Sequence, residues 1–216
     1  MIYSNLNKRI FTSIILLILL YLIFKYNILL VYSVLVIGTL AILEFINIVK
    51  RIFKKKFFGN FINFFFILFV FSFSYLFLFF TMMDQIKILV FIIFLGCIAS
   101  DIGGFIAGKI FKGPKLTRIS PNKTISGAFG SLFLTIITMT TLFYLIKIDL
   151  KIAIIIISII TSILCQLGDL FFSYLKRKAK LKDTGKFLPG HGGVLDRLDG
   201  IFLGLPGGFI SLIVFY

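Results

Sequence analysis

The sequence predicts an all-α polytopic membrane protein of about seven transmembrane helices, with two functional loops on one face of the bilayer. Three observations lead there. Of the 216 residues, 60% are hydrophobic; mean hydropathy is +1.12; and long apolar runs alternate with short basic stretches. A soluble domain of this length needs a polar surface that so apolar a chain cannot supply. Backbone groups in lipid must be satisfied within their own segment, so the runs are helices and not strands. Residues 1–216 are expected to form a single integral membrane domain, since little remains once the runs are removed.

In order, the runs cover residues 10–24, 28–49, 61–81, 86–108, 127–146, 152–172 and 200–216. A bilayer core asks for about 20 helical residues, so the first and last must tilt little or borrow from their flanks. The first follows Lys8 and Arg9, as in a signal peptide. No small-residue cleavage site follows, however, and it reads as a retained anchor. The turn from Lys25 to Asn27 is tight for two separate passes.

The loops test this count. Lys8 and Arg9, the basic residues from Lys50 to Lys56, those from Lys109 to Lys123, and those from Lys176 to Arg197 fall on one side. Together they make 19 of the 23 basic residues. Only Lys25, Lys87, Lys147 and Lys151 fall on the other. This asymmetry supports seven helices with the N-terminus and both polar loops, 109–126 and 173–199, in the cytoplasm; the expected location is a bacterial-type inner membrane. In a soluble protein the net charge of +15 would suggest nucleic acid. Here the charges sit in short loops, where anionic headgroups or anionic substrates account for them, and no nucleic-acid partner is expected.

Cys97 and Cys165 both fall within apolar runs and are expected to be packing residues, not a disulfide or metal pair. The eight acidic residues say more. Asp84 and Asp149 lie in outer loops, as solvated residues would. Glu44, late in the second run, is placed to pair with a basic residue or to brace the bundle. Asp101 and Asp169 fall inside apolar runs near their cytoplasmic ends. A carboxylate there costs at least a few kcal/mol unless it meets protein, water or a cation. For both, a helix-end carboxylate reaching the interface or a lysine remains the plainer alternative.

Asp169, Ser173 and Lys176 are spaced four and three apart and share a helix face. A carboxylate, a hydroxyl and an ammonium in a row suit a metal-bound phosphate better than lipid. Asp196 and Asp199 are three apart and repel unless a cation lies between them, although carboxylates are also favoured early in a helix. Around them, Gly190, His191, Gly192 and Gly193 form a small-residue stretch whose backbone N–H groups can approach phosphate oxygens. In the first basic loop, Ser120 to Thr124 form either a basic, membrane-hugging turn that Pro121 terminates or a set of hydroxyls and an ammonium, from Ser120, Lys123 and Thr124, directed at phosphates. Gly104 and Gly108 have the G-x-x-x-G spacing of close helix packing.

These runs together resemble the signature of the phosphatidate cytidylyltransferases, the CDP-diglyceride synthases. The matching stretches are Ser100 to Gly104, Gly108-Lys109, Lys115-Leu116, Ser120 to Thr124, Gln166 to Leu170, Ser173 to Arg177, Lys182-Asp183 and His191 to Asp199. The resemblance is close over about residues 97–216, the signature-bearing half, and rests on hydrophobic pattern before that. It implies transfer of CMP from CTP to phosphatidic acid, giving CDP-diacylglycerol and pyrophosphate. It also implies Mg²⁺, with room for a second cation, and Asp169, Asp196 and Asp199 as metal ligands. Lys176 and Arg197 join those three as catalytic residues. Asp101, Ser120, Lys123, Thr124, Ser173, Arg177, Lys182, Asp183, His191, Gly192 and Gly193 would bind substrate. A homodimer is an expected assembly. The chain departs from the family in having Ser126 where a Glu often precedes the glycine, and in being shorter toward its N-terminus.

Three other readings stay in view. A CTP-dependent polyprenol kinase would release CDP, and the long match from His191 to Asp199 argues against it. A CDP-alcohol phosphatidyltransferase needs a D-G-x-x-A-R opening that is absent. A transporter would spread polar groups through the membrane depth, whereas here they gather on one side.

Overall fold

The computed structural model describes residues 18–53, 55–117, 120, 123–148, 151–185 and 192–215. Among the described residues the regular structure is helical. A helical stretch α1 (residues 18–25) precedes α2 (Asn27–Ile52), α3 (Lys56–Thr81), α4 (Asp84–Phe111), α5 (Ile125–Leu145), α6 (Lys151–Lys178), the single turn α7 (Leu195–Leu198) and α8 (Ile201–Phe215). Among the described residues, six spans are long and apolar enough to cross a membrane: α2 to α6, and the stretch Leu195–Phe215 that holds α7 and α8. Residues 10–17 of the first expected run lie outside the described residues.

At the tight turn between the first two runs, one residue breaks the helix. Tyr26 is extended (φ −116°, ψ 111°), yet its N–H still reaches Leu22 O at 2.9 Å, and Leu30 N reaches Tyr26 O at 3.1 Å. Helices also run further than the apolar segments. α6 continues six residues beyond 172, to Lys178, because Leu, Lys and Arg are good helix formers whose long stems can carry charge away from an apolar surface. The second polar loop therefore begins after Lys178, not at residue 173.

The chain divides into two compact units, each assembled from separate stretches: residues 1–82 with 178–198, and residues 83–177 with 199–216. In the first unit α2 packs on α3. Phe45 and Phe66 stack with ring centroids 3.7 Å apart, and Leu30, Ala41, Ile48 and Val49 are buried. Phe57, Phe61, Phe64 and Phe71 are exposed, as lipid-facing side chains of a membrane helix should be. Lys178 lies over the Phe53 ring at 5.7 Å.

In the second unit the closest approach joins α4 and α5 through small residues. A side chain on Gly103 would strike the Gly130 carbonyl, and one on Gly104 would come within 2.6 Å of Ser131 Oγ. Gly108 faces Thr124 Oγ1 in the same way, so the expected glycine packing is present, with Gly103 the tightest of the α4 glycines. Lipid tails are as apolar as leucine, so van der Waals fit and buried hydrogen bonds hold such helices together. Ser131 donates to Ser100 O at 2.7 Å, Ser100 pairs with Ser162 at 3.1 Å, and Gln166 Nε2 reaches Ser162 Oγ and Ala128 O, both at 3.3 Å. Cys97 and Cys165 are free thiols, both buried, as expected.

Candidate active site

In the second unit the loop between α4 and α5 is built by its own polar groups. Lys112 closes α4 in the left-handed region (φ 49°), and Lys115 and Thr124 form an antiparallel bridge. Leu116 N donates to Lys123 O at 2.8 Å, Lys123 N to Ser120 O at 3.0 Å, and Ile125 N to Pro114 O at 2.9 Å. Thr124 caps α5, its Oγ1 accepting from Gly127 N at 3.1 Å. Such a cap contributes about 1 kcal/mol. Ser126, the departure from the family pattern, accepts from Gly113 N at 3.3 Å and pairs with Thr124 Oγ1 at 3.0 Å. It therefore ties the entry of the loop to its exit.

This hairpin delivers Lys123. Its Nζ lies 2.9 Å from Asp169 Oδ2, on α6, across 46 residues of sequence. Seven residues after Asp169 on the same helix, Lys176 Nζ lies 3.6 Å from Asp199 Oδ2, and Asp199 Oδ1 accepts from Gly200 N at 3.1 Å. The carboxyl groups of Asp169 and Asp199 interact directly, with Asp101 close enough to add its charge. The approach depends on glycine: a Cβ on Gly168 would strike the Asp199 carbonyl oxygen, and one on Gly200 would stand 3.2 Å from Asp169 Oδ1. Two carboxylates and two ammonium groups thus alternate in one cluster. Ser173 is half-buried on the same helix, and Arg177 is exposed at its end.

The first unit holds the other signature residues. Asp196 is the second residue of α7, and its Oδ2 accepts from Thr184 N at 2.8 Å and Gly193 N at 3.0 Å, with Thr184 Oγ1 at 3.0 Å. Gly192 has φ +83°, which favours glycine. Gly193 has no room for a side chain, because a Cβ would strike Thr184 Oγ1 and reach Glu44 Oε2 at 2.5 Å. The N–H of Gly193, expected to face phosphate, serves Asp196, and its missing side chain makes space for Glu44. Lys182, Asp183 and Arg197 are exposed, and Arg197 N closes the turn on Val194 O at 3.0 Å. His191 lies outside the described residues.

Of the two uses open to Glu44, the structure shows the brace: its carboxylate receives Thr184 Oγ1, Val194 N and Leu195 N. Thr184 and Gly185 lie between the matching stretches Lys182-Asp183 and His191 to Asp199 and carry no motif of their own. The signal available was Glu44 itself, since a carboxylate in an apolar helix must find donors somewhere.

Oxygen-only ligands suit a hard divalent cation. Among the described residues no three His, Cys, Asp or Glu side chains gather into a metal cluster. Two protein carboxylates at Asp169 and Asp199 still fit Mg²⁺, which is commonly held by one or two carboxylates plus waters and substrate phosphates.

Comparison with known proteins identifies the family. Residues 10–215 match the cytidylyltransferase family. A phosphatidate cytidylyltransferase of Staphylococcus aureus (strain COL) is 41% identical over 109 residues, 50% of this chain and 42% of that protein. One from Mycobacterium leprae is 42% identical over 125 residues, covering 56% and 38% of the two chains. One from Rickettsia felis is 40% identical over 138 residues, covering 59% and 60%. The matched region thus spans about two fifths to three fifths of the curated relatives' own length.

Proposed function

The chain belongs to the cytidylyltransferase family, and we propose that it is a phosphatidate cytidylyltransferase, transferring CMP from CTP to phosphatidic acid in phospholipid synthesis. A phosphatidate oxygen attacks the α-phosphorus of CTP, the bond to the β-phosphate oxygen breaks, and pyrophosphate leaves with CDP-diacylglycerol as the lipid product. The observation that carries this reading is the cluster of Asp169 and Asp199 flanked by Lys123 and Lys176. The nucleophile is already ionised, so no strong general base is needed. Neutralising charge and aligning two anions are the main tasks.

Asp169 and Asp199 would hold Mg²⁺, and Asp196 joins them on the strength of the signature alone. The ion, when bound, supplies charge compensation to phosphate oxygens and the leaving pyrophosphate. Lys123 and Lys176 then serve two partners in turn, a carboxylate before substrate arrives and a phosphate afterwards. Arg177, Lys182 and Arg197 are exposed cations suited to the remaining phosphate charge. The basic loops favour a site on the cytoplasmic face, where CTP arrives from water and phosphatidate from the leaflet.

The test is release of pyrophosphate by the purified chain in detergent with phosphatidic acid, CTP and Mg²⁺, alongside Asp169→Asn and Asp196→Ala. The expected result is phosphatidate-dependent pyrophosphate and CDP-diacylglycerol, lost in both variants. CDP in place of pyrophosphate would move the protein to a lipid kinase. A folded wild type yielding neither product would reject the reading.

A further inference from the structure

We infer that Glu44, far from the signature in sequence, is a positioning residue for the segment that carries Asp196 and Arg197; its catalytic meaning rests on the function proposed above. Glu44 is 3% exposed. Its Oε1 accepts from Val194 N at 3.1 Å, and its Oε2 from Leu195 N at 2.9 Å and Thr184 Oγ1 at 2.7 Å. Two of the three donors are backbone groups at the start of α7, so any movement of the carboxylate moves the turn itself. Arg197 N closes that turn on Val194 O. One side chain from α2 therefore sets the point from which Asp196 and Arg197 project.

Thr184 links the carboxylate to Asp196. Its N–H donates to Asp196 Oδ2 at 2.8 Å, and its hydroxyl lies 2.7 Å from Glu44 and 3.0 Å from Asp196. A hydroxyl has one proton to give. The shorter contact favours Glu44, and Asp196 Oδ2 is then held by the N–H groups of Thr184 and Gly193. Gly185 and Gly193 complete the seat, since a Cβ on Gly185 would strike Glu44 Oε1 and one on Gly193 would crowd Oε2. A buried carboxylate in an apolar helix is tolerable only when donors satisfy it, and here they come from Thr184 and from Val194 and Leu195 of the signature. Glu44 packs on Gly193 but bonds to no side chain assigned to substrate, so its effect on the reaction passes through the segment it holds.

The test uses the full chain in lipid nanodiscs. Glu44→Gln keeps the shape but turns an amide N–H₂ toward N–H donors; Thr184→Val keeps the volume without the hydroxyl, and Thr184→Ser restores it. Glu44→Gln and Thr184→Val are expected to lower kcat about tenfold or more, as a small misplacement of acting groups does. They should also raise the Mg²⁺ concentration for half-maximal rate, with the unfolding midpoint near wild type. Thr184→Ser should recover most of the rate. Variants that unfold earlier but keep kcat per folded molecule and Mg²⁺ requirement within about twofold of wild type would overturn the inference and leave only a structural brace. Amide exchange over residues 183–198 is read in parallel and needs no activity. Protection lost there alone in Glu44→Gln supports the anchor even if the wild type makes no CDP-diacylglycerol, and unchanged exchange would overturn it.

Discussion

Adding one methyl group at Gly168 should separate catalysis from stability. A Cβ there strikes the carbonyl oxygen of Asp199 and comes 3.2 Å from Gly200 Cα. Ordinary contact asks for roughly 3.5 Å or more, so the segment bearing Asp199 must retreat by about 1 Å. Two stability effects oppose each other: alanine in a helix interior gains about 1 kcal/mol over glycine, and overpacking costs about 1–3 kcal/mol. The net loss is therefore about 2 kcal/mol at most. Catalysis has no such offset. A misplacement of about 1 Å lowers rates on the order of 100-fold, or about 2.7 kcal/mol of barrier. The assay is initial pyrophosphate release at saturating CTP and phosphatidate, with thermal unfolding of the same samples. Gly38→Ala is the control, because its Cβ would stand at ordinary distances of 3.4 Å from Val70 Cγ1 and 3.5 Å from Ser74 Oγ. It should keep the rate and gain stability. A Gly168→Ala rate within about threefold of wild type, or an equal loss in Gly38→Ala, would refute the argument.

Lys176→Met removes the ammonium 3.6 Å from Asp199, whose side chain is only 11% exposed. Stability should fall by roughly 3 kcal/mol, as when one partner of a buried pair is lost. Millimolar Mg²⁺ should restore more of the unfolding midpoint in this variant than in wild type, and no Mg²⁺-dependent recovery would count against the Asp169/Asp199 metal site. Gly204→Ala would drive a methyl onto Cys165 Sγ and to 3.0 Å from Cys97 Sγ, and should cost about 1–3 kcal/mol. Adding Cys165→Ala should recover much of that; two losses that simply sum would show that the contact is not the cause.

The residues at issue explain how much was legible beforehand. Lipid acts on every helix locally and independently, so apolar runs and basic loops mark the spans without knowledge of their neighbours. Spacing along one helix is equally local, and Asp169, Ser173 and Lys176 do share α6. The glycine spacing in α4 likewise announced close packing, although Gly103, outside the pattern, is the most tightly packed glycine of that helix. Ser126 stood out only as a departure from a family pattern; its bonds to Gly113 and Thr124 give it a role in closing the loop.

Pairings between distant residues were beyond reach. The family resemblance makes Lys123 a substrate-binding residue, and only the packed second unit sets it on Asp169, 46 residues away. Glu44 meets Thr184 across 140 residues and Leu195 across 151. Gly193 resembles a phosphate-cradling glycine in the chain, yet its N–H serves Asp196 and its bare Cα makes room for Glu44. Hydrophobicity and short motifs are properties of contiguous residues, so the membrane class, six of the expected spans and the family were legible in the chain alone. Which cation faces which carboxylate, and which loop a buried glutamate holds, came from packing. A polar group in an apolar interior bonds to whatever donor the packing brings within about 3 Å, and that donor has no fixed distance along the chain.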